Sequence, residues 1–147
     1  MIESTTPWTL QQARAVSKAA VFAKPSAIES RALPSLRSFA TATPADRAGS
    51  APSVAWLTFA SANFALVSGH LQTFQSSRGV KRTFCSSCGS PLTYESDREP
   101  GTIDVTTVSL DNPGRFPPTR EVWLEHKLGW EETNATLLHC ARGSSAS

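Results

Sequence analysis

Cysteine and histidine are scarce in this 147-residue chain, and both are absent from its first 69 positions. The three cysteines are Cys85, Cys88 and Cys140, and the three histidines are His70, His126 and His139. An odd, small cysteine count with two of the three in a C-x-x-C does not make a secreted disulfide framework, so a reducing, cytoplasmic setting is the expectation. Charge of one sign is also lacking. Fourteen Lys and Arg face twelve Asp and Glu, a net charge of +2, which gives no electrostatic case for nucleic acid. No apolar run approaches the ~20 residues of a membrane helix, and the start of the chain has no apolar signal region. A nucleophile–His–acid triad and a Gly-rich phosphate loop are missing as well.

What remains divides near residue 50. Residues 1–48 are rich in Ala, Ser, Thr, Arg and Pro and read as an atypical, weakly structured segment. Residues 10–24 favour a helix by composition, but Leu10, Val16, Val21 and Phe22 make a poor apolar stripe. Pro25 and Pro34 would break it. From Ser53 onward short β-favouring runs alternate with turn residues. The runs are 54–59, 64–67, 71–74, 81–84, 91–95, 102–108 and 121–125. They predict a mainly β domain over 49–133, followed by a flexible tail over 134–147. Trp56, Phe59, Phe64, Trp123 and Trp130 read first as packed side chains. The basic group Arg78, Lys81 and Arg82 reads as a solvated strand end.

Cys85-Ser86-Ser87-Cys88-Gly89 carries the chemistry. Two thiolates separated by two residues reach one metal from a tight turn, and zinc takes four N or S ligands in a tetrahedron. Gly89 permits the positive φ such a turn needs. A redox pair would open a helix after a strand, whereas Gly89 and Pro91 lead here into another strand. Two buried cysteines with no ligand are the plain alternative. Cys140, His70 and His126 read as an incidental thiol, a turn residue and a surface residue. Asp111-Asn112-Pro113 reads as a turn in which the Asp side chain accepts backbone N–H bonds. Cys85 and Cys88 are therefore the candidate metal ligands, half of a zinc site.

From about Gly49 to Trp130 the chain resembles the glutathione-dependent formaldehyde-activating enzyme (GFA) family, also called the CENP-V/GFA domain. The resemblance rests on 51–56, Ser68-Gly69, 74–77, the run Arg82-Thr83-Phe84-Cys85-Ser86-Ser87-Cys88-Gly89-Ser90-Pro91-Leu92, Asp104-Val105, 109–113, 116–119 and 127–130. It implies an Mss4-like β fold, here incomplete at the N-terminus, and carbon–sulfur lyase chemistry on glutathione-type thiol adducts. It also implies a structural zinc on an N-terminal C-x-C plus the later C-x-x-C, which Cys85 and Cys88 match. A second, catalytic zinc sits in a central C-x-C-x-x-C or C-H-x-C cluster. Residues 1–50 hold no cysteine, so two structural ligands and the catalytic set have no counterpart, and the implied activity is impaired. A non-catalytic zinc knuckle that binds a protein partner is the other function class. A dimer joining two knuckles around one zinc would restore four thiolates.

The genetic code offers an origin for the departure. Shifted by one base, the codons of Ala40-Thr41-Ala42-Thr43-Pro44-Ala45-Asp46 permit Asn-Cys-His-Thr-Cys-Arg, and those around Ala15-Val16-Ser17 permit Gly-Cys-Leu. Paired frameshifts, a basic transit-like segment and a divergent segment are the three readings of 1–48. Under the first, the coding DNA shows cysteine codons in the offset frame at these places. A stop codon there, or other codons, removes that reading.

Overall fold

The computed structural model describes residues 14–16, 27–30, 34–41, 50–110 and 112–143. Among these the chain is mainly β, with no α-helix. In chain order the strands are β1 (Arg14–Val16), β2 (Ala27–Ser30), β3 (Leu36–Thr41), β4 (Ser53–Ala60), β5 (Phe64–Ser68) and β6 (Leu71–Ser77). They continue with β7 (Val80–Cys85), β8 (Pro91–Ser96), β9 (Thr102–Thr106), β10 (Arg120–Val122) and β11 (Leu138–His139). Eight form one sheet in the order β11-β10-β3-β4-β9-β8-β7-β6, and β1-β2-β5 form a second. No helix of the described residues is long and apolar enough to cross a membrane.

The alternation in β4 sets the two faces of the large sheet. β4 pairs antiparallel with β3 on one side and β9 on the other. Side chains two apart share a face, so Leu57 and Phe59 stand beside Val105 and Ile103 in register. These four are buried, at 0 to 5% exposure, and Phe64, Leu110 and Phe116 pack over them. A second cluster, Cys85 with Leu92, packs against Phe64, Leu71 and Leu110. The Thr83 and Thr93 hydroxyls bond each other at 2.6 Å on the buried face, which satisfies two polar groups where water is excluded. The opposite face carries Trp56, Thr58, Arg82, Tyr94 and Asp104.

Several expectations meet the structure differently. Of residues 10–24, whose composition favours a helix but whose apolar stripe is poor, only Arg14–Val16 lies among the described residues, and it is strand paired with Ala27–Ser30. Leu36–Thr41 belongs to the 1–48 segment, yet it is an inner strand of the large sheet, in register with β4 over six positions. Thr41 donates to the Val122 and Trp123 carbonyls at 3.0 and 2.6 Å. Within 134–147, Leu138–His139 pairs parallel with Arg120–Glu121. The Cys140 N–H donates to the Glu121 carbonyl at 2.8 Å, and Cys140 is buried. Trp130 is 72% exposed rather than packed.

The strand expected over 102–108 ends at Thr106. Ser109 Oγ donates to the Thr106 carbonyl at 2.7 Å and the Leu110 N–H to that of Thr107 at 3.2 Å. This short 3-10 turn breaks the ladder and leaves Val108 outside. The strand expected over 121–125 ends at Val122, because Trp123 takes a left-handed conformation (φ 62°). Bonds from the Trp123 N–H to the Arg142 carbonyl and from Thr41 Oγ1 to the Trp123 carbonyl hold it there.

Candidate functional site

The cysteine knuckle closes β7 and opens β8. The Cys85 N–H donates to the Ser90 carbonyl at 2.9 Å, and the Gly89 N–H donates to the Cys85 carbonyl at 2.8 Å. Gly89 has φ +74° with open space where a side chain would stand, so only the backbone conformation favours glycine here. Ser86 donates both its N–H and its hydroxyl to the His70 carbonyl, at 3.1 and 3.0 Å. These bonds fasten the turn to the start of β6. The two thiols differ sharply. Cys85 is 1% exposed among Leu92, Phe64 and Leu71, while Cys88 faces solvent with Sγ 3.2 Å from Ser90 Oγ.

The third thiol is remote. Cys140 follows β11, and five strands separate β11 from β7 in the sheet. At about 4.8 Å per strand that is roughly 29 Å along the sheet. His139 pairs there with Glu121 at 3.1 Å. His126 lies 3.4 Å from Glu125 and stacks on Trp123. Among the described residues no three His, Cys, Asp or Glu side chains come together in a way that could hold a metal ion. The knuckle thus places Cys85 and Cys88 in one turn, and among the described residues no group of three such side chains forms around them.

A different group of side chains lies on the open face of the sheet. Asp104 stands opposite Thr58 on β4 and Tyr94 on β8. Thr58 Oγ1 donates to Asp104 Oδ1 at 2.5 Å. Burial pushes the Asp104 carboxyl up to about 6; the Thr58 bond opposes that rise and the charge of Glu99 adds to it. The Arg82 guanidinium sits 4.8 Å from the Tyr94 ring centre, and Trp56 lies 6.3 Å from that ring. The Arg82 Nε–H also donates to Ser76 Oγ at 3.2 Å. Arg82 is therefore half-buried over an aromatic ring rather than a solvated strand end. A carboxyl that titrates near 6 can exchange a proton close to neutrality. The sequence reading does not find this row, because it exists only through the register of four strands.

Two cavities lie away from the cysteines. One, of about 470 Å³, is lined by Thr73, Gln75, Lys81, Glu95, Asp97 and neighbours, of which Lys81 pairs with its cross-strand neighbour Glu95 at 2.7 Å. The other, of about 290 Å³, lies where β3 and β10 meet residues 131–134.

No curated protein matches the chain. The family model of the glutathione-dependent formaldehyde-activating enzyme matches residues 45–126, more than half of the sequence. That span holds β4 to β10 and the whole cysteine knuckle. The chain therefore belongs to the glutathione-dependent formaldehyde-activating enzyme family.

Proposed function

We propose that this chain is a GFA-family protein whose carbon–sulfur lyase activity on glutathione-type thiol adducts is impaired, with Cys85 and Cys88 retained as a two-thiol zinc knuckle. The observation that carries this reading is the placement of the thiols. Cys85 and Cys88 share one turn, Cys140 lies five intervening strands away, and no cysteine or histidine precedes His70. Zinc held for structure takes four protein ligands and zinc held for catalysis takes three plus an open position. Two thiols meet neither requirement, so the described residues do not fit a closed zinc site, and no step of a reaction is routed through the metal.

Metal analysis and turnover test the proposal together. After growth with zinc and dialysis, the chain is expected to retain well below one zinc per chain, and Cys88→Ser removes what is retained. The purified protein is expected not to accelerate formation or breakdown of the adduct between formaldehyde and glutathione, followed by proton NMR. One tightly held zinc per chain together with turnover overturns the proposal.

The second reading is a non-catalytic module that binds a protein partner. It is favoured by β6, a seven-residue strand at the edge of the large sheet with Phe74 56% exposed. Such an edge offers unpaired backbone groups to another strand.

A further inference from the structure

The two edges of the large sheet are unlike. Among the described residues its outermost strands are β11 and β6. β11 is two residues long, and so short an edge offers little to another chain. β6 runs seven residues, Leu71–Ser77, and among the described residues it pairs with β7 alone. Its outer side therefore presents a row of backbone N–H and C=O groups to solvent. The strand Leu-Gln-Thr-Phe-Gln-Ser-Ser has no charged residue and no proline, so the usual obstacles to strand addition are missing. Its one irregularity, between Gln75 and Ser77 in the pairing with β7, lies toward one end.

Phe74 stands at the midpoint of this strand and is 56% exposed. It lies opposite Arg82 on β7, whose guanidinium is turned to the Tyr94 ring and to Ser76. A two-fold axis at Phe74 sets Leu71 opposite Ser77 of a second copy, Gln72 opposite Ser76 and Thr73 opposite Gln75. All seven residues then pair. No like charges face each other across the junction, and the strand's one aromatic side chain meets its own copy, a favourable cross-strand pair. Two-fold symmetry supplies that match from the chain itself, since an isologous interface uses the same patch twice.

We propose that β6 pairs antiparallel with β6 of a second copy of this chain, about a two-fold axis at Phe74, and so joins two large sheets into one. The proposal rests on the same open edge as the partner-binding reading and names this chain as the partner. The junction is one strand wide, at the small end of protein interfaces, and its dissociation constant is about 10–100 µM. In the low micromolar range the chain is therefore monomeric. This dimer is not one that shares zinc. Cys85 stands opposite Leu71 at the start of β6, and antiparallel pairing sends the two starts to opposite ends, roughly 20 Å apart along the strands.

Sedimentation equilibrium of the full chain, with and without EDTA, tests the proposal together with amide hydrogen exchange over residues 71–77 at low and high concentration. A monomer–dimer equilibrium indifferent to EDTA is expected, with β6 amides slowed only at high concentration. Phe74→Lys and Phe74→Glu each weaken association by about tenfold or more, because like charges then face each other on the axis. An equimolar mixture of the two variants recovers it. Phe74 is exposed, and an unchanged circular dichroism spectrum shows that each variant is folded. A monomer whose alternate β6 amides exchange fast overturns self-pairing and leaves the edge open to another protein. A monomer with every β6 amide protected overturns both, since the edge is then covered from within the chain. A dimer lost in EDTA, a dimer with unprotected β6 amides, or a mixture that does not recover also overturns the proposal.

Discussion

Leu57→Ala lowers the unfolding free energy by about 3 kcal/mol, within the ~2–5 kcal/mol span of leucine truncations in packed cores. Leu57 has no exposed surface and shares its cluster with Phe59, Ile103 and Val105. It stands on the strand that joins β3 to β9, where the sheet has neighbours on both sides, so the surroundings have little room to collapse into the space left. Against a typical domain stability of ~5–15 kcal/mol, that loss is a large fraction. Urea unfolding shows it as a lower midpoint at unchanged slope. Phe74→Ala is the internal comparison. Phe74 is a larger side chain, but it is 56% exposed on the edge strand, and its truncation lowers the unfolding free energy by about 0.5 kcal/mol or less. Equal shifts for the two variants would show that the cluster around Leu57 is not the core.

The contrast between those two residues shows how much of the fold a reader of the sequence can reach. The run from Val54 to Phe59 declares a strand by composition, and it is one. Its place at the centre of an eight-stranded sheet is not declared, because β4 pairs with β9 across more than forty residues and with β3 across a loop. Leu36–Thr41 was hidden by its mixed composition. It forms a strand because β4 and β10 offer it partners on both sides, an effect of tertiary context on a weak local preference. Cys140 was hidden in the same way, behind a Gly- and Ser-rich end; it is buried, and its N–H donates to the Glu121 carbonyl.

The candidate sites divide along the same line. Cys85 and Cys88 are legible because a C-x-x-C turn is local and its geometry follows from four residues. That one thiol is buried and the other exposed depends on Leu92, Phe64 and Leu71 and is not legible. Asp104 is visible as one acidic residue in a β-favouring run, while its neighbours Thr58 and Tyr94 come from strands separated from it by forty-six and ten positions. Family membership adds a function class to this sheet. The thiol placement then limits which part of that function the chain's own residues support.

Asp104 provides the sharpest pH dependence expected of the fold. Its carboxyl titrates at about 6 in the folded chain against an ordinary 3.8. The folded state therefore binds more protons than the unfolded state between about pH 4 and pH 6. The stabilising contribution of the neutral acid is full below about 4 and is lost as pH rises through about 6. A shift of about 2 units sets an upper bound near 3 kcal/mol, and solvent around this half-buried group reduces it to about 1–2 kcal/mol. Asp104→Asn removes the charge and keeps an oxygen to accept from Thr58. The variant is expected to match the parent near pH 4 and to exceed it by about 1–2 kcal/mol at pH 7.5, read from urea midpoints across that range. Thr58→Val acts in the opposite sense on the titration. The Thr58 hydroxyl favours the charged carboxylate, so its removal moves the Asp104 midpoint further upward, read from the side-chain carboxyl carbon by NMR. An Asp104→Asn variant that tracks the parent at every pH would show that the carboxyl is solvated in the folded chain, and that the open face of the sheet holds no desolvated acid.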